Sequence, residues 1–184
     1  MKYIVTERQY KLLTENDDRI LDIPFEIFGN DWDLLQKYLE KRGNPPCRLT
    51  GDILFDRGSK IDTLGSIVSV DGNIGLTNGS INSLGDLTYV SKDLQLYGTK
   101  ISSLGKLTRV DGTLDVSSSG LNSLGNLEYV GGSLDISKTN LVSFENLKYV
   151  GENLILGNTP ISSVYSQSKI RQMVNVVGSV SCSL

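Results

Sequence analysis

The chain of 184 residues contains no histidine. That absence excludes Ser-His-Asp and Cys-His catalysis, histidine-ligated zinc and histidine-based pH switching. Cysteine is scarce: Cys47 and Cys182 are far apart in the sequence. Two such thiols build no disulfide framework and make a poor metal site without histidine, so two free thiols are expected. No run of 18 apolar residues occurs, which excludes a membrane-spanning helix. No apolar segment follows Lys2, so no secretory signal is expected. Neither sign of charge dominates: 18 Lys+Arg stand against 21 Asp+Glu, a net charge of -3. A broad phosphate-binding surface is therefore not expected, and nucleic acid is a poor default partner. Phosphate loops, nucleophile elbows and metal motifs are missing too, so no cofactor and no enzymatic activity are expected. These exclusions leave a soluble intracellular protein, in a host cytoplasm or in a virion assembled there. Hydrophobic residues make up 39%, more than a disordered chain would carry, and the length suits one domain with small flanking pieces.

What the sequence does have is a repeat of 20 residues. One apolar column is Ile61, Ile81, Ile101, Leu121, Leu141 and Ile161; a second is Leu64, Leu84, Leu104, Leu124, Phe144 and Val164. A third runs Ile67, Leu87, Leu107, Leu127, Leu147, and a fourth Val70, Val90, Val110, Val130, Val150. Pairs in Leu-x-Leu alternation follow: Ile53/Phe55, Ile74/Leu76, Leu94/Leu96, Leu114/Val116, Leu134/Ile136 and Leu154/Leu156. The first pair precedes the second by 21 residues, with one extra residue in the stretch Arg57-Gly58-Ser59-Lys60. The alternation predicts short parallel strands at 53–55, 74–76, 94–96, 114–116, 134–136 and 154–156. Gly112 and Gly132 suit tight turns into those strands. Apolar residues at every third position, such as Ile101, Leu104, Leu107 and Val110, predict a 3₁₀-like or extended return path. Each unit is then one coil of a solenoid, and stacking buries a continuous core. Two hydroxyl columns, Thr63 to Ser163 and Thr99, Ser119, Thr139, Thr159, are too many for catalysis. They are expected to satisfy backbone groups at the corners.

The unit typified by Leu107-x-x-Val110-x-x-x-Leu114-x-Val116 resembles leucine-rich repeats of the short, 20-residue kind. Thr or Ser stands where longer repeats carry Asn. The resemblance implies a binding scaffold with a short parallel sheet on one face; a parallel β-helix is the alternative geometry. The opening Tyr3-Ile4-Val5-Thr6-Glu7-Arg8-Gln9-Tyr10-Lys11-Leu12-Leu13 is similar to the start of many uncharacterised tailed-bacteriophage proteins.

The predicted organisation is a helical N-terminal cap over 1–50, five to six repeats over 51–164 and a C-terminal cap over 165–184. Thr6 is expected to cap a short helix over 7–14, and Asn30 or Asp31 another over 32–41. The second helix presents Trp32, Leu34, Leu35, Tyr38 and Leu39 at helical spacing, as a lid or a partner-docking helix. Pro45-Pro46 forces an extended lead into the first coil. The C-terminal stretch reads as a helix over 167–176, then a weak strand, with no further copy of the repeat.

Two outward surfaces are candidates for contact. The first is the stripe Tyr89, Arg109, Tyr129 and Tyr149, in a column begun by Ser69; Tyr and Arg are enriched at binding hot spots. The second is Gln95, Tyr97, Asp115 and Asp135 on the strand face, where two stacked carboxylates with Asp93 and Asp111 nearby leave a cation site open. The leading expectation is a non-enzymatic protein-binding module, phage-encoded and acting on a host protein. A virion structural or decoration protein is the alternative, followed by a carbohydrate-active β-solenoid enzyme. Self-association is compatible with each.

Overall fold

The computed structural model describes residues 20–55 and 60–182. The expected helix over 7–14 and most of the extra-residue stretch lie outside them. Strand β1 (Leu21–Pro24), a 3₁₀ turn at Phe25–Phe28, helix α1 (Trp32–Glu40) and strand β2 (Cys47–Thr50) lead into the repeats. The chain then alternates between two sheets. The first sheet continues through β4 (Ile67–Asp71), β6 (Tyr89–Val90), β8 (Arg109–Val110), β10 (Tyr129–Val130) and β12 (Tyr149–Val150) to β14 (Asn175–Val176). The second contains β3 (Ile53–Leu54), β5 (Ile74–Gly75), β7 (Leu94–Gln95), β9 (Leu114–Asp115), β11 (Leu134–Asp135), β13 (Leu154–Ile155) and β15 (Val180–Ser181). Helices α2 (Pro160–Val164) and α3 (Gln167–Met173) interrupt the last coil.

Among the described residues every strand pairing is parallel, and through the middle the register advances by one sequence repeat per coil, as in Leu94↔Leu114↔Leu134↔Leu154. The protein is therefore a repeat β-solenoid. The predicted strands occupy the second sheet. The predicted return path differs: it carries a whole parallel sheet of its own, with the Val90, Val110, Val130 and Val150 column facing inward. Two isolated bridges, Thr63↔Ser83 and Ser103↔Ser123, mark the remaining side of the coil.

The apolar columns meet in one core. Leu104, Leu107, Val110, Leu114, Val116, Leu121 and Leu124 have no exposure. Val164 is the exception: it is 71% exposed, because α2 replaces the repeat there and only Ile161 reaches the core.

The hydroxyl columns close the corners. Thr99, Ser119, Thr139 and Thr159 are buried and donate to the carbonyls of Leu96, Val116, Ile136 and Leu156 at 2.6–2.8 Å. Thr63, Ser83, Ser103, Ser123 and Ser143 accept the amide two residues ahead at 3.0–3.1 Å. The receiving residues Gly65, Gly85, Gly105, Gly125 and Glu145 all have left-handed φ. Gly112 and Gly132 have another role. Their φ is ordinary, and the backbone of the preceding coil leaves no room for a Cβ. Ser119 also accepts the Leu121 amide at 3.3 Å. Ser119→Ala removes both bonds and is expected to cost about 1–2 kcal/mol, measurable in a denaturant melt. An unchanged midpoint would mean that the two bonds add nothing.

A further polar ladder joins successive coils where the two sheets meet, and the sequence reading missed it. Asp52 accepts from both nitrogens of Asn73 at 2.8 and 3.0 Å, which holds its carboxyl below the usual range, the backbone bond chiefly responsible. Asn73 Oδ1 accepts the Asp93 amide, Asp93 the Thr113 amide, and Asn153 the Ser179 amide. Asp93 thus carries a structural hydrogen bond between coils.

The stack runs past 51–164 at both ends. β1 and β2 add two strands to the first sheet, and Cys47 is buried there. Burial pushes its thiol up to about 12. At the other end β14 and β15 do form a further copy of both strands. The register Val150↔Val176 is longer than one repeat because α2 and α3 are inserted. The predicted helix over 167–176 therefore stops at Met173. At the N-terminal end, Asp31 caps α1 by accepting the Leu34 amide, while Leu35 and Leu39 enter the core. Trp32 packs edge-on against Phe25 and Phe55, with ring centroids 6.4 and 5.7 Å away. Cys47 and Cys182 are free thiols, and no helix among the described residues is long and apolar enough to cross a membrane.

Candidate functional site

In-register parallel pairing points the same side chain outward from each coil, one strand spacing (about 4.8 Å) from the next. The first sheet does this with Ser69↔Tyr89↔Arg109↔Tyr129↔Tyr149. It extends the column to Asp22 and Arg48 at one end and Asn175 at the other. The four predicted stripe residues therefore do share one face, as strand residues rather than residues lying over a turn.

Their side chains form one connected row. The Tyr129 and Tyr149 rings stack 4.9 Å apart at 8°. The Arg109 guanidinium lies 3.9 Å over the Tyr129 ring, a cation–π contact. Arg109 Nε donates to Asp111 Oδ1 at 2.6 Å, and the Tyr89 hydroxyl donates to Asp111 Oδ2 at 2.6 Å. That bond to the carboxylate is the main reason the Tyr89 phenol is raised above its ordinary range. Asp111 thus orders the row, two residues beyond Arg109 in the same coil. In the sequence it lies near the acidic pair Asp115 and Asp135. Its signal was there: an acid two positions after an Arg on a strand falls on the same face.

This geometry decides what the row offers. Each stacked ring covers the face of its neighbour, so a sugar ring finds no free platform between them. The ring edges and the half-exposed Arg109 are what face outward, and Asp111 offsets the Arg109 charge. Such a ridge is suited to recognition by shape and hydrogen bonding.

The second candidate surface is arranged differently. Gln95, Asp115 and Asp135 are register partners on the second sheet. Each carboxylate turns into its own coil. Asp115 Oδ1 accepts from the Ser117 amide and hydroxyl at 2.9 and 2.6 Å, and Asp135 Oδ1 from the Ser137 amide at 2.9 Å. Ser117 is buried, at 5% exposure. Tyr97 is 43% exposed at the edge of this face. Among the described residues, no group of three His, Cys, Asp or Glu is placed to hold a metal ion. An open depression of about 360 Å³ lies at the N-terminal end, lined by Pro24, Glu26, Asn30, Thr50, Gly51 and Asp52, away from both surfaces. Compared with known proteins, the chain matches no family model, no curated protein and no solved structure.

Proposed function

We propose that this chain is a non-enzymatic binding scaffold and that the ridge Tyr89, Arg109, Tyr129 and Tyr149 contacts a protein partner. The observation that carries this reading is the order already present in the ridge. Stacking and the Asp111 anchor fix the side chains before any partner arrives. Binding then costs less side-chain entropy than it would for free tyrosines. The four residues span three strand steps, about 14 Å. That is the size of an anchoring centre within a standard interface of about 800 Å² per side. Kinship with short leucine-rich repeats agrees with the 20-residue unit, and the burial of Leu35, Leu39 and Ile170 supports α1 and α3 as lids. The N-terminal likeness to tailed-bacteriophage proteins makes an infected bacterial cell the first source of partners to try.

The test compares capture of partners by the wild type, Tyr129→Ala/Tyr149→Ala and Asp115→Ala/Asp135→Ala. Truncating hot-spot residues costs about 2 kcal/mol or more, roughly 30-fold in affinity. The tyrosine variant is expected to lose a partner that the aspartate variant retains. The reverse result would move the contact to the second sheet. Loss from neither would move it to the N-terminal end, with Trp32 the next residue to change.

A further inference from the structure

The first sheet builds each coil on the last through a fixed series of hydrogen bonds. The amide after the valine column donates back to the valine carbonyl of the preceding coil. Ser91 donates to Val70, Asp111 to Val90, Gly131 to Val110, Gly151 to Val130 and Val177 to Val150, all at 2.9–3.0 Å. In most of these coils the next amide along the chain belongs to a second series running in the same direction. Gly112 donates to Lys92, Gly132 to Gly112, Glu152 to Gly132 and Gly178 to Glu152, at 2.8–3.2 Å. The next acceptors in the two series are the carbonyls of Val176 and Gly178, and among the described residues no coil follows them.

Arg171 takes both places. Its Nη1 donates to Val176 O at 2.7 Å and its Nη2 to Gly178 O at 2.5 Å. The planar guanidinium fork stands in for the two amides of an absent next coil. The other end of the sheet carries the complementary change. The registers Ile23↔Leu49↔Val70 and Pro24↔Thr50↔Asp71 put Ile23 in the valine column and Pro24 one position beyond it. In the later coils the residue there supplies the backward-donating amide. Proline has none.

These two features disable one and the same hydrogen bond. If β1 of a second copy added in register to β14, Val176 O would have to accept from the nitrogen of Pro24. The donor is deleted on one edge and the acceptor is occupied on the other. We propose that Arg171 and Pro24 are paired stops that prevent end-to-end growth of the solenoid by further copies of this chain. The strand edges otherwise match: both belong to the same parallel sheet, and each carries the outward amides and carbonyls of alternate residues. Ile23 and Val176 both face the core, at 0% and 6% exposure. Because the two edges are different surfaces, such a contact would not close into a dimer but would propagate as a filament.

The experiment uses the full chain as wild type, Arg171→Ala, Pro24→Val, the double variant, and the double variant with Asp22→Pro added. Asp22 holds the remaining position of β1 whose amide points away from β2, so its proline removes the last donor. Circular dichroism establishes that each variant is folded, and sedimentation velocity over a dilution series reads its size. The wild type is expected to be monomeric at every dilution. The double variant is expected to form elongated oligomers that lengthen with concentration, and the triple variant to return to monomer. A folded double variant that stays monomeric overturns the proposal, as does a triple variant that assembles as fully as the double. So does a wild type that already grows end to end. Arg171→Gln, which keeps one donor but loses the fork, replaces the alanine variant if that one unfolds, under the same criteria.

Discussion

Replacing Leu104 by alanine is expected to destabilise the protein by about 2–5 kcal/mol. Leu104 has no exposure and lies in a middle coil, with Leu84 behind it and Leu124 ahead in the same column. A terminal coil could shift to close the void. A middle coil is held on both sides by strand pairing, so the cavity persists. Leu124→Ala should behave alike. A shift of roughly 2–4 °C in melting temperature per kcal/mol makes the effect plain in a thermal melt. Val164→Ala is the control. It occupies the same column in the sequence but is exposed, so it should change stability by less than about 0.5 kcal/mol. Equal shifts at Leu104 and Val164 would show that the column is not buried as described.

The second large effect concerns a pair of glycines that look identical in the sequence. Gly105 and Gly125 occupy the same place in successive coils and both have left-handed φ, 58° and 59°. Any side chain at either position incurs a conformational cost of about 1–3 kcal/mol. Their surroundings differ. A Cβ on Gly105 would meet nothing within 4 Å, whereas one on Gly125 would run into the backbone of Gly105. A backbone carbonyl cannot rotate aside as a side chain does. Gly125→Ala is therefore expected to cost about 1–3 kcal/mol more than Gly105→Ala, the typical cost of overpacking. Glu145 already occupies the same column at φ 49°, so the conformation alone is tolerated. Chemical denaturation of both variants separates the two contributions. Equal losses would leave only the conformational cost.

The sequence revealed the architecture where a column needs one kind of residue. A core position admits only Leu, Ile, Val or Phe, so the register from Ile61 to Ile161 is visible without coordinates. The first sheet was harder to see. Its strands are as short as Tyr129–Val130, with one inward side chain, too short for alternation to show. The polar ladder of Asp52, Asn73, Asp93 and Asn153 was hidden for a different reason. Its positions require an oxygen acceptor rather than a particular residue, so the identities vary. The last copy was missed because α2 and α3 stretch the spacing from Val150 to Val176 beyond one repeat. At the candidate site the tyrosines and Arg109 were legible as a stripe. What the sequence could not convey is that Asp111 ties Tyr89 to Arg109, because Tyr89 and Asp111 lie on successive coils.

The constant register also bears on how the chain finds its fold. Parallel sheets are usually slow to form because distant segments must meet before any contact forms. Here each strand in the middle of the stack pairs with one a single repeat away, about one-ninth of the chain length. The strand pairing thus has a relative contact order of about 0.11, in the range of helical bundles and below that of β-sandwiches. Once two coils are in place, each additional coil closes a loop of the same modest length onto a finished template. Assembly then proceeds like the zipping of a helix: slow to nucleate, then propagating by equal steps.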